Sequence, residues 1–151
     1  MNKYVAWSCD FKKHSGEGQL ARKFIETLYK DKNVKIQYPQ FRFYLSDYIY
    51  QIYGILVLWY YFFKGAKIIF INYLPLWNFL IFLLSPPKTT FGPITGSKQI
   101  NEITNTKSLI RFFLIPFLYR ISLTILNKRQ KKILFATNIL KKNLNENIRK
   151  K

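Results

Sequence analysis

The stretch His14-Ser-Gly-Glu-Gly-Gln-Leu-Ala-Arg-Lys-Phe24 holds the residues of this 151-residue chain whose types and spacing best suit ligand chemistry. Gly16, Gly18 and Ala21 fit G-x-G-x-x-[G/A], the pattern that brings a glycine loop and a helix start against a dinucleotide pyrophosphate. The fit is incomplete. The first glycine should follow its strand almost directly, yet the six residues 10–15 intervene. An acid for the ribose belongs at the end of the second strand, where Gln37-Tyr38-Pro39 stands instead. Neither a nicotinamide or flavin nor any other cofactor is expected. The loop's physics survives that loss: glycines let backbone amides approach a ligand, and a helix N-terminus favours an anion or a hydroxyl-rich group. Glu17 either contacts such a ligand or interacts with the helix dipole.

For proton transfer the local candidates are Asp10, Glu17 and the sole histidine, His14, which reads as an exposed loop residue. Paired carboxylates of the hydrolase kind are not evident, and no His, Cys, Asp or Glu cluster has metal-ligand spacing. The lone Cys9 reads as a small strand residue and fits a reducing compartment. The apolar run before Asp10 is too short for a secretory signal, so a cytoplasmic location is expected.

The elements that must position these residues alternate along the chain. Strands are expected at Lys3–Ser8, Val34–Tyr38, 67–72, 88–91 and Lys132–Thr137. Helices are expected at Gly18–Tyr29, Asp47–Phe63, 76–84 and Ser108–Leu126, with another opening at Asn138. Leu20, Phe24, Ile25 and Leu28 should form the buried face of the first helix. Lys64-Gly65 should cap the second, Asn72–Pro75 should turn the chain, and the helix after Ser108 should kink or restart at Pro116. Such alternation predicts one α/β domain over 1–151, a Rossmann-like parallel sheet of about five strands with helices on both faces. Ligands then bind beyond the carboxyl ends of the strands. That selects Ser8–Gly18, Tyr38–Pro39, Asn72–Tyr73, Gly92–Ser97 and Thr137–Asn138.

Residues 48–84 are apolar enough to suggest a different fold, a small integral membrane protein with short spans. Against it, Gln51, Gly54, Lys64, Gly65, Lys67, Asn72, Pro75 and Asn78 interrupt the run. A net charge of +18 calls for nucleic acid, anionic lipid or a phosphorylated substrate, unless the lysines simply form a solvated face. No zinc-finger spacing, RNP-type aromatic motif or basic recognition helix is present, and nucleic acid is not an expected partner. Trp7, Trp59 and Trp77 read as core before they read as sugar platforms.

A first strand followed by the Gly-Glu-Gly loop and the helix residues QLARKF resembles the N-terminal domain of GT-B glycosyltransferases. The resemblance is to the broad family-four, group-one-like kind of bacterial envelope assembly. NYLPLWNFLIFLLSPPKTTFGPITGS, residues 72–97, is the more specific half of it. The resemblance spans essentially the whole chain, and it implies the acceptor-binding half of a two-domain fold, the C-terminal donor-binding domain being absent. It implies a hexosyltransferase that takes a nucleotide-sugar donor and a glycan or lipid-linked acceptor in polysaccharide synthesis. Gly16, Gly18, Asn72, Tyr73, Gly92, Thr95, Gly96 and Asn138 would bind donor or acceptor, and Glu17 or Asp10 would assist catalysis, with no metal. The donor domain's E-x(7)-E pair has no counterpart among the 7 acidic residues, so the chain alone is expected to be inactive, as a fragment or one half of a pair. Enzymes of this kind often work at the inner face of the cell membrane. Lys12-Lys13, Arg22-Lys23 and the run 127–132 would dock such a protein peripherally on anionic lipid. A nucleotide- or phosphate-binding module of flavodoxin-like shape, without catalysis, is the third reading.

Overall fold

The computed structural model describes residues 4–30, 32–39, 47–95, 106–130 and 133–135. Its elements are β1 (Tyr4–Ser8), α1 (Gly16–Leu28), β2 (Val34–Gln37), α2 (Asp47–Phe63) and β3 (Lys67–Pro75). They continue as α3 (Phe79–Leu84), β4 (Thr90–Thr95), α4 (Thr106–Arg129) and β5 (Ile133–Phe135). The strands form one sheet in the order β2-β1-β3-β4-β5, every pairing parallel. β2, β1, β3 and β4 make its body, and the short β5 joins the edge through Ile133 and Phe135. This α/β architecture is consistent with a Rossmann-like fold.

The sequence pattern explains the sheet's centre. Ile68, Ile69, Phe70 and Ile71 are all buried, because β3 lies between two parallel neighbours and is covered on both faces. One face carries Ala6, Ile69 and Ile71, and α1 closes it with Ala21, Phe24 and Ile25. The other carries Val5, Trp7, Ile68, Phe70 and Leu74 under α2, α3 and α4, which contribute Ile55 and Leu58, Phe82 and Leu126. The expected buried face of α1 needs correcting: Gly18 and Ala21 point inward, while Leu28 is exposed. Ala21 packs against the sheet, and Gly18 against the loop that precedes the helix.

Helix ends follow local chemistry. Ser15 caps α1, its hydroxyl accepting from the Gly18 amide at 2.9 Å. Gly65, at φ +77°, closes α2: its amide donates to the Phe62 carbonyl at 2.9 Å and the Ala66 amide to that of Tyr61 at 3.1 Å. This is the paired Schellman closure that Lys64-Gly65 predicts. Arg129 ends α4 and ties it to α3, its guanidinium donating to the Leu83 and Ser85 carbonyls at 2.6 and 2.9 Å.

Several boundaries differ from expectation. β3 does not turn at Asn72 but continues to Pro75, with a register shift against β4 between Ile71 and Leu74. α3 is correspondingly short, starting only at Phe79. α4 runs through Pro116 as one helix and does not restart there. A proline's missing amide and ring clash are tolerated here on the exposed side of the helix. No described helix is long and apolar enough to cross a membrane, and residues 48–84 are divided among α2, the central strand β3 and α3. The helix expected from Asn138 lies outside the described residues.

Candidate functional site at the carboxyl edge

Parallel strands direct their carboxyl ends to one edge, and a strand order that reverses direction opens a crevice there. In this sheet β1 connects to β2 on one side, while the next strand, β3, packs on its other side. The β1–α1 loop and the segment after β3 therefore flank the switch point, the usual ligand position of open α/β sheets.

The β1–α1 loop is built by its own polar groups. Ser8 is buried and donates to the Asp10 carbonyl at 2.5 Å, and Asp10 Oδ1 accepts from the Lys12 amide at 2.8 Å. An aspartate bonding the amide two residues on is a turn-forming contact. Arg22 reaches back from α1, donating to the Phe11 carbonyl at 2.7 Å, with its guanidinium 4.3 Å from the centre of the Phe11 ring. Phe11 in turn stacks on Tyr38 at the end of β2, 5.9 Å between centroids. The Arg22–Phe11–Tyr38 stack thus fixes the loop across the carboxyl ends of β1 and β2.

The two glycines do different work. A Cβ at Gly18 would lie 2.0 Å from the Lys12 carbonyl oxygen, so this glycine lets α1 close on its own loop. A Cβ at Gly16 would meet nothing within 4 Å. Gly16 therefore leaves open space at the exposed start of α1, beside Glu17, which is exposed in the first helical turn. His14 is exposed on the same loop.

On the other side of the switch point, Asn72 and Tyr73 lie in the last part of β3, which ends at Pro75. Asn72 is 6% exposed, and its Oδ1 has no hydrogen-bond partner. Strand alternation puts it on the face of Ile68, Phe70 and Leu74, under α2. Two further buried amides come to this edge. Gln51 belongs to the inward stripe of α2 with Gly54, Ile55 and Leu58, and its Oε1 accepts from Asn78 Nδ2 at a long 3.4 Å. Tyr73 faces solvent at 41% exposure.

The Gly-Pro-Ile-Thr-Gly segment is not a loop over its first four residues. Gly92 through Thr95 are in β4, and Gly92 is buried in register with Ile71, so its expected role as a loop amide is corrected. The peptide Gly92-Pro93 is cis. Thr95 ends the strand, and its carbonyl accepts the Leu76 amide at 2.9 Å, pinning the β3–α3 turn to the edge. Gly96 and Asn138 lie outside the described residues. Thus Asp10, Gly16, Glu17, Gly18, Asn72, Tyr73 and Thr95 all belong to the carboxyl edge.

Arg22, Phe11, Gln51 and Asn78 are the edge residues that sequence reasoning missed. Gln51 was visible only as a polar break in an apolar helix, which is the trace a buried amide leaves. Of the three tryptophans, Trp7 is core at 2% exposure, and Trp59 donates from Nε1 to the Leu84 carbonyl at 2.7 Å, joining α2 to α3. Among the described residues no group of three His, Cys, Asp or Glu is placed to hold a metal ion. Comparison of the chain with protein-family models, with curated proteins and with solved structures finds no match in any of the three.

Proposed function

We propose that this chain is the acceptor-binding half of a two-domain glycosyltransferase. It would hold a glycan or lipid-linked acceptor for transfer from a nucleotide-sugar in cell-envelope polysaccharide synthesis. The observation that carries this reading is the partnerless, buried Oδ1 of Asn72 at the carboxyl edge. A buried carbonyl without a donor is costly, and a ligand hydroxyl supplies the donor that a phosphate oxygen lacks. The open Gly16 and the α1 N-terminus offer amides suited to a donor phosphate across the same crevice. Glu17, exposed on the first helical turn, is better placed than the buried Asp10 to meet a substrate. Charge on the departing nucleotide diphosphate would be stabilised mainly by a donor domain, so turnover requires that second half.

Saturation-transfer NMR on the full chain tests the reading, with UDP-glucose, UDP-N-acetylglucosamine and β-linked glucosyl disaccharides as probes. Sugar protons should receive saturation from the wild type and lose it in Asn72→Leu, whose shape is similar and whose acceptor is gone. A folded Asn72→Leu variant with unchanged sugar contact would sink the idea. The strand order supports a second reading, because 2-1-3-4-5 is the flavodoxin-like order, with its phosphate site at this switch point. Under that reading inorganic phosphate and flavin mononucleotide bind the wild type and Asn72→Leu equally, and sugars do not bind.

A further inference from the structure

The outward surface of α2, α3 and α4 is apolar where water would be expected. On α2, Ile49, Ile52, Tyr53, Leu56, Tyr60 and Phe63 are exposed, and their spacing places them on one stripe. The inward stripe of the same helix is Gln51, Gly54, Ile55 and Leu58, so α2 is apolar on two opposite sides. A helix apolar all round belongs in a core or against a lipid phase. α3 adds Leu80 and Leu83, and α4 adds Phe113 and Phe117, all exposed. Trp59 joins α2 to α3 and Arg129 joins α3 to α4, so the three stripes belong to one layer.

The charges decide what covers this layer. Beyond Asp47 at its start, α2 contains no acidic residue, and neither does α3 or α4. Cations accompany the apolar stripe: Lys64 lies over the Tyr60 ring, 4.1 Å from its centroid, and Arg120 is exposed on α4. Glu17 and Glu26, by contrast, are on α1, across the sheet. A second copy would bring two cationic faces together in a chain of net charge +18. An anionic bilayer matches both the sign and the apolarity, with the tyrosines suited to the headgroup level. Since no described helix is both long and apolar enough to span, the layer is placed on the membrane and not across it.

We infer that the α2–α3–α4 face docks this protein on an anionic membrane surface, with the outer stripe of α2 in the interface. Of the basic segments expected to do so, the described residues do not form that face. Lys12-Lys13 and Arg22-Lys23 belong to the β1–α1 side, while Lys128 and Arg129 end α4 at the opposite edge of the sheet. The inference stands apart from the transferase reading and survives its failure.

Co-flotation of the full chain with phosphatidylcholine vesicles containing about one third phosphatidylglycerol tests it. Leu56, Phe63 and Phe117 are 64%, 79% and 60% exposed, so Leu56→Gln/Phe63→Gln/Phe117→Gln should fold normally. Its affinity for the vesicles should fall by roughly tenfold or more. Lys64→Gln/Arg120→Gln should weaken binding to anionic vesicles by roughly 25-fold, at roughly fivefold per cation removed, and Lys12→Gln/Lys13→Gln by far less. Absence of flotation by the wild type overturns the inference. So does an equal loss in the Lys12/Lys13 variant, or a lipid-free dimer that the triple variant dissolves, which would assign the face to a second copy.

Discussion

Gly16 and Gly18 are separated by one residue, and the structure predicts opposite responses when each becomes alanine. At position 18 the new Cβ would sit 2.0 Å from the Lys12 carbonyl oxygen and 2.7 Å from Ser15 Oγ. Relief requires the loop to move off the helix by more than an ångström, since a comfortable C···O contact is above about 3 Å. The move breaks the 2.9 Å Ser15–Gly18 cap and strains the Arg22–Phe11 carbonyl bond of 2.7 Å. Losing the cap costs about 1 kcal/mol, and disturbing a charge-assisted hydrogen bond about 1.5–3 kcal/mol. Alanine's helix preference returns about 1 kcal/mol, leaving Gly18→Ala destabilised by about 2 kcal/mol. Gly16→Ala meets no neighbour and should be neutral or stabilised by about 0.5 kcal/mol. Urea unfolding followed by circular dichroism measures both. If Gly18→Ala is as stable as the wild type, the loop is not held as described. If Gly16→Ala also leaves ligand contact in the NMR experiment untouched, the open space at Gly16 is not where a ligand approaches.

Three further outcomes follow from local geometry. At Gly54 a Cβ would fall 2.1 Å from Trp7 Nε1, and Trp7 is buried, so Gly54→Ala should lose about 1–2 kcal/mol through overpacking despite its better helix propensity. A red shift in tryptophan emission should accompany it; an unshifted, more stable variant would show that Trp7 does not pack against this helix. Lys88 adopts φ 63° in the turn before β4, and Lys88→Gly should raise stability by about 0.5–1 kcal/mol in the same urea assay, since glycine removes the left-handed penalty. A loss would mean that the lysine side chain contributes more than its backbone strain. The Lys64 ammonium donates to the Tyr60 hydroxyl and lowers its pKa below the ordinary phenol value of 10.0. The pair's contribution to stability is therefore present above that ordinary value while Lys64 stays protonated, and it is lost as pH falls through the lowered one. Tyrosine 13Cζ titration should show Tyr60 returning to the ordinary range in Lys64→Met; no change would remove the pairing.

The order of elements was legible because polar and glycine breaks divide the apolar runs, even across 48–84, where a membrane-spanning reading competed. Asp47–Phe63 and its glycine closure could be read directly, since Lys64-Gly65 is a local signal with a local cause. The ends of β3 and β4 were not legible. Asn72, Pro75, Gly92 and Pro93 all carry turn propensity, but the pairs Ile71–Gly92, Leu74–Ile94 and Pro75–Thr95 carry the two strands through them. The edge was found through the rule for parallel sheets, whereas Gln51, Asn78 and Arg22 were noticed for their polarity or charge but not assigned to it. Their partners are 27 and 11 residues away in sequence, and no spacing pattern announces a contact of that range.

α2 joins the carboxyl edge to the outward face, and its composition is explained only when both are considered. Gln51 and Gly54 interrupt a long apolar run, and hydropathy alone reads them as defects in a membrane span. Both are inward: Gln51 accepts from Asn78, and Gly54 receives the face of Trp7. The outward stripe has no such interruption until Lys64. Because α2 runs back against the strands, its N-terminal turns stand at the carboxyl edge and its length lies along the sheet. A bilayer meeting the outward stripe would leave the Asn72 crevice opening beside the membrane surface, with α1 and its glutamates on the water side. A lipid-linked acceptor could then reach the crevice laterally, without leaving the membrane. The two proposals are separable by experiment, yet the same helix supplies a wall to one site and the contact surface to the other.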